Sequence, residues 1–177
     1  KRKSIKEKEI DNPKDVYDII LPNLKTSNNE KQLQAAVDAL GGVHENMLEI
    51  LFEQLKVHEI DAKKPKRTRK DFLRIQIARI YARISESVPN EFMREKEFVK
   101  ERFLIFIDEQ LQYLTSPANM YSVDLLPLRY NLFMVVENLA KKLYYYPPLR
   151  GRTLDYKTRE SLLHFVIRWT GFGDSSR

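Results

Sequence analysis

Cysteine is absent from the 177-residue chain. That excludes disulfides, thiolate metal sites and cysteine nucleophiles, and it fits a reducing compartment. Glycine is scarce: the five are Gly41, Gly42, Gly151, Gly171 and Gly173, and none falls in the GxGxxG or GxxxxGKS spacing that cradles a phosphate. The three histidines, His44, His58 and His164, have no second histidine or matched acid at metal-ligand spacing. His164, between Leu163 and Phe165, reads as a satisfied, partly buried imidazole. No serine sits in a nucleophile-elbow sequence. The chain therefore reads as a non-enzyme with no metal and no cofactor. Long apolar runs are missing as well: nothing approaches the ~18 residues needed to span a bilayer, and no signal-peptide core follows the basic start. The expectation is a soluble, cytoplasmic protein. Because the chain begins at Lys1 and ends just after a strongly apolar helix, it is expected to be a piece of something longer.

Charge is plentiful but unevenly placed. The formal net charge is +6. Residues 1–10 carry five cations against two anions, and residues 63–70, KKPKRTRK, carry six cations and no anion. Removing these two segments leaves the rest at −3, so the body is slightly acidic. A nucleic-acid-binding domain usually carries its charge on a folded face, whereas here it sits in a tail and in one segment that enters a helix.

That helix organises the chain. Pro65 keeps the first half of the basic run out of a helix interior. Thr68, followed three residues later by Asp71, makes a capping box that sets an anion at the positive end of the helix dipole. Phe72, Leu73, Ile75, Ile77, Ile80, Tyr81 and Ile84 then give a broad apolar face, while Arg74, Arg79 and Arg83 extend the positive charge along the helix.

On either side the pattern is also helical. Residues 1–10 read as a flexible basic tail. Asp11-Asn12-Pro13 starts a helix that stops or kinks near Pro22. Ser27 to Glu30 caps a second helix, ended by Gly41-Gly42, and a third starts near His44. Ser85 to Glu95, with Pro89 and Asn90, reads as a polar connection. Glu95 to Leu114 is apolar nearly all round and so buried on several sides. Another helix begins at Ser122 or Leu128 and runs to Leu143, and the last spans about 155–170, with Gly171 as its cap. Tyr144 to Pro148 reads either as a helix end packed with its own rings or as an aromatic groove for a peptide. Trp169 reads as core or inter-repeat packing. No segment alternates with period two, so the class is all-α: antiparallel helix pairs stacked as a HEAT/armadillo-like α-solenoid segment. Residues 11–62 form HEAT-like pairs, 63–70 a basic junction, and 71–177 a further section of the same solenoid.

Three segments in order resemble one family, the Furry proteins of animals and their fungal cell-morphogenesis relatives. They are the HEAT-like unit ending in DALGGVHENMLEILFEQL, the basic run leading into KDFLRIQIARIYARISE, and LPLRYNLFMVVENLAKKL followed by YKTRESLLHFVIRWTGFGD. The last pair is similar to the family's Arg-led helix and helix ending in Trp-x-Gly. The basic run departs from the pattern at Pro65 and Thr68, where nearly unbroken arginine is expected. The resemblance implies an N-terminal HEAT-like section of a very large scaffold that binds an NDR-type (NDR/LATS) kinase and its Mob coactivator in polarised growth and cell shape. It also implies cytoskeletal partners and action at the cell cortex or at sites of polarised growth.

The basic run has three readings: a solvated junction, a docking surface for an acidic protein partner, or a site for nucleic acid, anionic membrane or a nuclear-import-like signal. Nucleic acid would want interleaved aromatics for stacking, and none precedes Phe72. The candidate partner-binding residues are Lys63, Lys64, Lys66, Arg67, Arg69, Lys70 and Arg74.

Overall fold

A computed structural model describes residues 12–64, 70–144, 154 and 156–170. All regular structure among these residues is helical. The α-helices are α1 (Pro13–Ile20), α2 (Asn23–Thr26), α3 (Glu30–Gly41), α4 (Leu48–Lys63), α5 (Lys70–Ser87), α6 (Asn90–Glu95), α7 (Glu97–Leu114), α8 (Leu126–Tyr144) and α9 (Tyr156–Thr170). Two 3₁₀ turns, Glu45–Met47 and Val123–Leu125, lead into α4 and α8. No described helix is long and apolar enough to cross a membrane.

The N-termini are set by short polar side chains. Asn12 Oδ1 accepts from Lys14 N at 2.9 Å, with Pro13 at the first helical position, and Asn29 Oδ1 accepts from Lys31 N at 3.0 Å. His44 caps the first 3₁₀ turn, its Nδ1 accepting from Asn46 N at 3.3 Å. Each bond satisfies a donor that the helix itself leaves free. Leu21 and Pro22 split α1 from α2 because proline cannot extend the hydrogen-bond ladder. The cap assigned to Thr68 lies outside the described residues.

Helix α5 is the centre of the body, packed between α3, α4 and α8. Leu73, Ile77, Ala78, Ile80, Tyr81, Ala82 and Ile84 are buried on it, and the buried apolar residues from Tyr17 to Phe165, Leu33 apart, form one connected cluster. Tyr81 stacks on Phe106 at 4.2 Å between centroids and on Phe52 at 5.7 Å, and Phe103 meets it edge-on at 5.9 Å. Aromatic contacts thus tie α5 to α4 and α7. Against α3 the approach is closer still. A Cβ on Gly41 would lie 2.2 Å from Arg83 Cβ, so Gly41 is present for helix contact and is itself the last residue of α3. At its C-terminal end α5 is capped by α8: Lys142 Nζ donates to the carbonyls of Glu86 at 3.2 Å and Val88 at 2.6 Å.

The segment after Ser85 differs from its expected form. α5 continues to Ser87, and α6 follows directly after Pro89, whose carbonyl accepts from Met93 N at 3.0 Å. Val88 and Met93 are buried. Proline starts this short helix, and the two apolar side chains pin it to the core. The start of α8 falls at Leu126, between the two starts that the sequence offers.

Candidate partner-binding surface

Along the chain the basic segment joins the end of α4 to the first turn of α5. Lys63 and Lys64 close α4 and are exposed, yet each is paired: Lys63 Nζ lies 2.6 Å from Glu109 on α7, and Lys64 Nζ lies 2.8 Å from Asp61 one turn earlier. Asp61 also accepts from Lys25 of α2. Hydrogen bonds from Lys25 and Lys64 hold the Asp61 carboxyl down at about 2. Lys66, Arg67 and Arg69 lie outside the described residues, as does the side chain of Lys70.

Arg74 does not belong to this surface. It is 7 % exposed, its Nη1 donates to Gln110 at 3.0 Å and its Nη2 to the Ala62 carbonyl at 3.5 Å, and its guanidinium lies 3.9 Å from the Tyr113 ring centroid. The helix period explains the correction. At 3.6 residues per turn, Arg74 sits about 140° around α5 from Arg79; Arg79 and Arg83 share a face and Arg74 points between α4 and α7. Beside it the Tyr113 hydroxyl donates to Asp71. Burial first, then Asp71, push that phenol up to about 12.

Two further arrangements gave no sequence signal as sites. On α4, Glu59 accepts from Tyr81 Oη at 2.8 Å and from Arg102 Nη2 at 2.9 and 2.8 Å, and Arg102 Nη2 also reaches Tyr81 Oη at 2.7 Å. Burial, then the Glu59 carboxylate, push the Tyr81 phenol well up, so it serves as a neutral bridge. The trio joins α4, α5 and α7 beside the aromatic packing of Phe52, Phe103 and Phe106 around Tyr81. Arg129, only 1 % exposed, has no carboxylate partner among the described residues. Its Nη1 donates to Ser122 O at 2.8 Å and its Nη2 to Asn119 O and Met120 O, each at 2.7 Å. Three backbone carbonyls of the loop before α8 are thus gathered on one guanidinium, which also lies 5.3 Å from the Trp169 ring. The arginine that leads LPLRYNLF and the tryptophan of WTGFGD therefore meet in space. Each belongs to a motif legible along the chain, but their pairing depends on how α9 packs. Trp169 is partly buried and stacks with Phe133 and Phe165.

The buried ones among these side chains hold helices together. Among the described residues no group of three or more His, Cys, Asp and Glu could hold a metal ion. His44 is a cap, and His58 lies on α4 with its imidazole lowered chiefly by burial and then by Lys25. His164 is exposed, not half-buried, in a shallow cleft between α7 and α9: α9 turns Phe165 inward and leaves its neighbours at the surface. Tyr145 to Pro148, with the side chain of Tyr144, lie outside the described residues.

Among family models, one described as the cell morphogenesis central region matches residues 2–176. No curated protein and no solved structure matches the chain significantly.

Proposed function

The chain belongs to the Furry-like cell-morphogenesis family, and from that premise we propose that it is a non-catalytic section of a helical scaffold whose α4–α5 junction docks an NDR-type kinase with its Mob coactivator. The family gives the role in cell morphogenesis. The matched region is the family's central one, where the resemblance had implied an N-terminal section. The observation that carries the scaffold reading is coverage: the match runs over the whole helical body rather than over one helix pair.

Side-chain use supports the reading. Buried Arg74, Arg102 and Arg129 all bond to groups of this chain, as structural guanidiniums do. An α-solenoid arrangement accounts for α5, helical and apolar on most sides, and for exposed Leu163 and Ile167 on α9, since each unit of such a stack covers the last. At the junction, Lys63 and Lys64 are neutralised by Glu109 and Asp61, which leaves the docking role to Lys66, Arg67, Arg69 and Lys70. Four cations in five residues steer an acidic partner and raise its rate of encounter.

A pull-down of the kinase–Mob complex on this chain tests the reading. Loss of recovery after Lys66, Arg67, Arg69 and Lys70 are changed to Glu supports the junction, and unchanged recovery removes it. The same cations favour a second reading, an adaptor for nucleic acid or anionic membrane. Binding of labelled DNA or anionic vesicles that falls steeply with salt separates the two.

A further inference from the structure

The start of α8 leaves large apolar side chains at the surface. Val123 in the 3₁₀ turn, then Leu126 and Tyr130, follow one another at turn spacing and are 73 %, 44 % and 65 % exposed. A contiguous apolar row of this kind marks a contact surface. Its base is rigid, because Arg129, next in sequence to Tyr130, bonds to three carbonyls of the preceding loop.

The course of α9 decides what reaches this row. Phe165 meets Phe133 at 6.0 Å between centroids. One turn later Trp169 meets Phe133 at 5.9 Å and has the Arg129 guanidinium 5.3 Å from its ring. α9 therefore advances over α8 toward the N-terminus of α8. At about 100° per residue, Leu126 lies only about 20° around α8 from Phe133, so it continues the track that Phe165 and Trp169 follow. From Arg129 to Leu126 is about 5 Å along the helix axis. α9 ends at Thr170, and two further residues span up to about 7 Å. The second of them is Phe172. Residues 171–177, which lie outside the described residues, read GFGDSSR. Phe172 is their one large apolar side chain, and Gly171 and Gly173 on either side let the chain leave a helix and turn close to a neighbouring backbone.

We infer that Phe172 docks on Leu126, between Val123 and Tyr130, so that the segment after α9 covers the start of α8. Direction, reach and apolar character all meet at this one residue, which selects a segment of this chain over a partner as the occupant. The run WTGFG then acts as one device, with Trp169 on Arg129 and Phe172 one turn further along α8. The inference uses helix positions alone and stands or falls separately from the kinase reading.

Disulfide trapping tests it in the whole chain, which has no cysteine of its own. Gly173→Cys is combined with Val123→Cys or, as the control, with Glu137→Cys, and closure under mild oxidation is followed by gel shift and mass spectrometry. Glu137 is exposed and shares the face of α8 with Leu126, but it lies on the other side of Phe133. The Val123 pair is expected to close within one chain about tenfold faster or more than the Glu137 pair. Adding Phe172→Ala is expected to remove that advantage, and Phe172→Leu to keep most of it. Equal rates for the two pairs, faster closure of the Glu137 pair, disulfides between copies in place of closure within one chain, or a rate that Phe172→Ala leaves unmoved overturns the inference.

Discussion

Arg129 ties the first turn of α8 to three carbonyls of the loop before it. Replacing Arg129 with Ala takes a donor from three loop carbonyls; Asn119 O and Ser122 O keep backbone donors in Ser122 N and Leu125 N, while Met120 O loses its guanidinium, and a buried acceptor left unpaired costs about 1–3 kcal/mol. The expected loss in urea unfolding is about 1–3 kcal/mol, with Trp169 fluorescence shifted to the red as its cation neighbour leaves. Arg129→Lys is expected to rescue little, because one ammonium cannot reproduce the planar fork. Gly41 makes a contrasting case. Gly41→Ala drives a methyl into Arg83 Cβ and is expected to cost about 1–3 kcal/mol through displacement of α3 from α5. Arg83→Ala keeps the same Cβ and should not relieve it, which a double mutant in chemical denaturation checks. Asp61 gives a pH signature. Its carboxyl is depressed to about 2, so what it adds to stability is present above the unfolded value near 4 and is lost as pH falls through the folded value. The stability gap between the wild-type chain and Asp61→Asn should be constant above about pH 4 and close toward about pH 2. Added salt should narrow it, since the pairs are partly exposed.

At the scale of elements, α5 shows how much the sequence discloses. Its apolar face and its central place follow from the spacing Leu73, Ile77, Ile80, Tyr81, Ile84, and all five are buried. Its charges are harder to read. Arg74, Arg79 and Arg83 look like one stripe when read along the chain, but angular phase separates the first from the other two, and that phase follows from residue numbers alone. The Glu59–Tyr81–Arg102 trio is not legible in this way. Glu59 and Arg102 are 43 positions apart, and only the packing of α4 and α7 around α5 brings them together. Likewise α6 is hidden by Pro89, which signals a break from one side and a helix start from the other. The trio predicts an order of effects. Tyr81→Phe leaves the Glu59–Arg102 pair intact and is expected to cost about 1 kcal/mol. Glu59→Ala leaves the Arg102 guanidinium buried without its anion and is expected to cost about 3–5 kcal/mol. Denaturant midpoints of the two variants, measured at one pH, check that ranking.

For the molecule as a whole, charge divides into two kinds. Several cations on the described helices are used within the structure: Lys25, Lys63 and Lys64 in ion pairs, Arg74 and Arg102 in the core, and Lys142 on the end of α5. The cluster from Lys66 to Lys70 sits where α4 hands over to the central helix, in a body that is otherwise slightly acidic. On the proposed function, that contrast makes the junction the place where an acidic partner is steered. The most direct test is an affinity and association-rate measurement of a purified NDR-type kinase–Mob complex on this chain at two salt concentrations, repeated with Lys66, Arg67, Arg69 and Lys70 changed to Glu. Docking at the junction predicts that the reversal weakens binding about tenfold or more, mostly through a slower, less salt-sensitive association. Equal affinity and equal salt dependence for the two chains would contradict it.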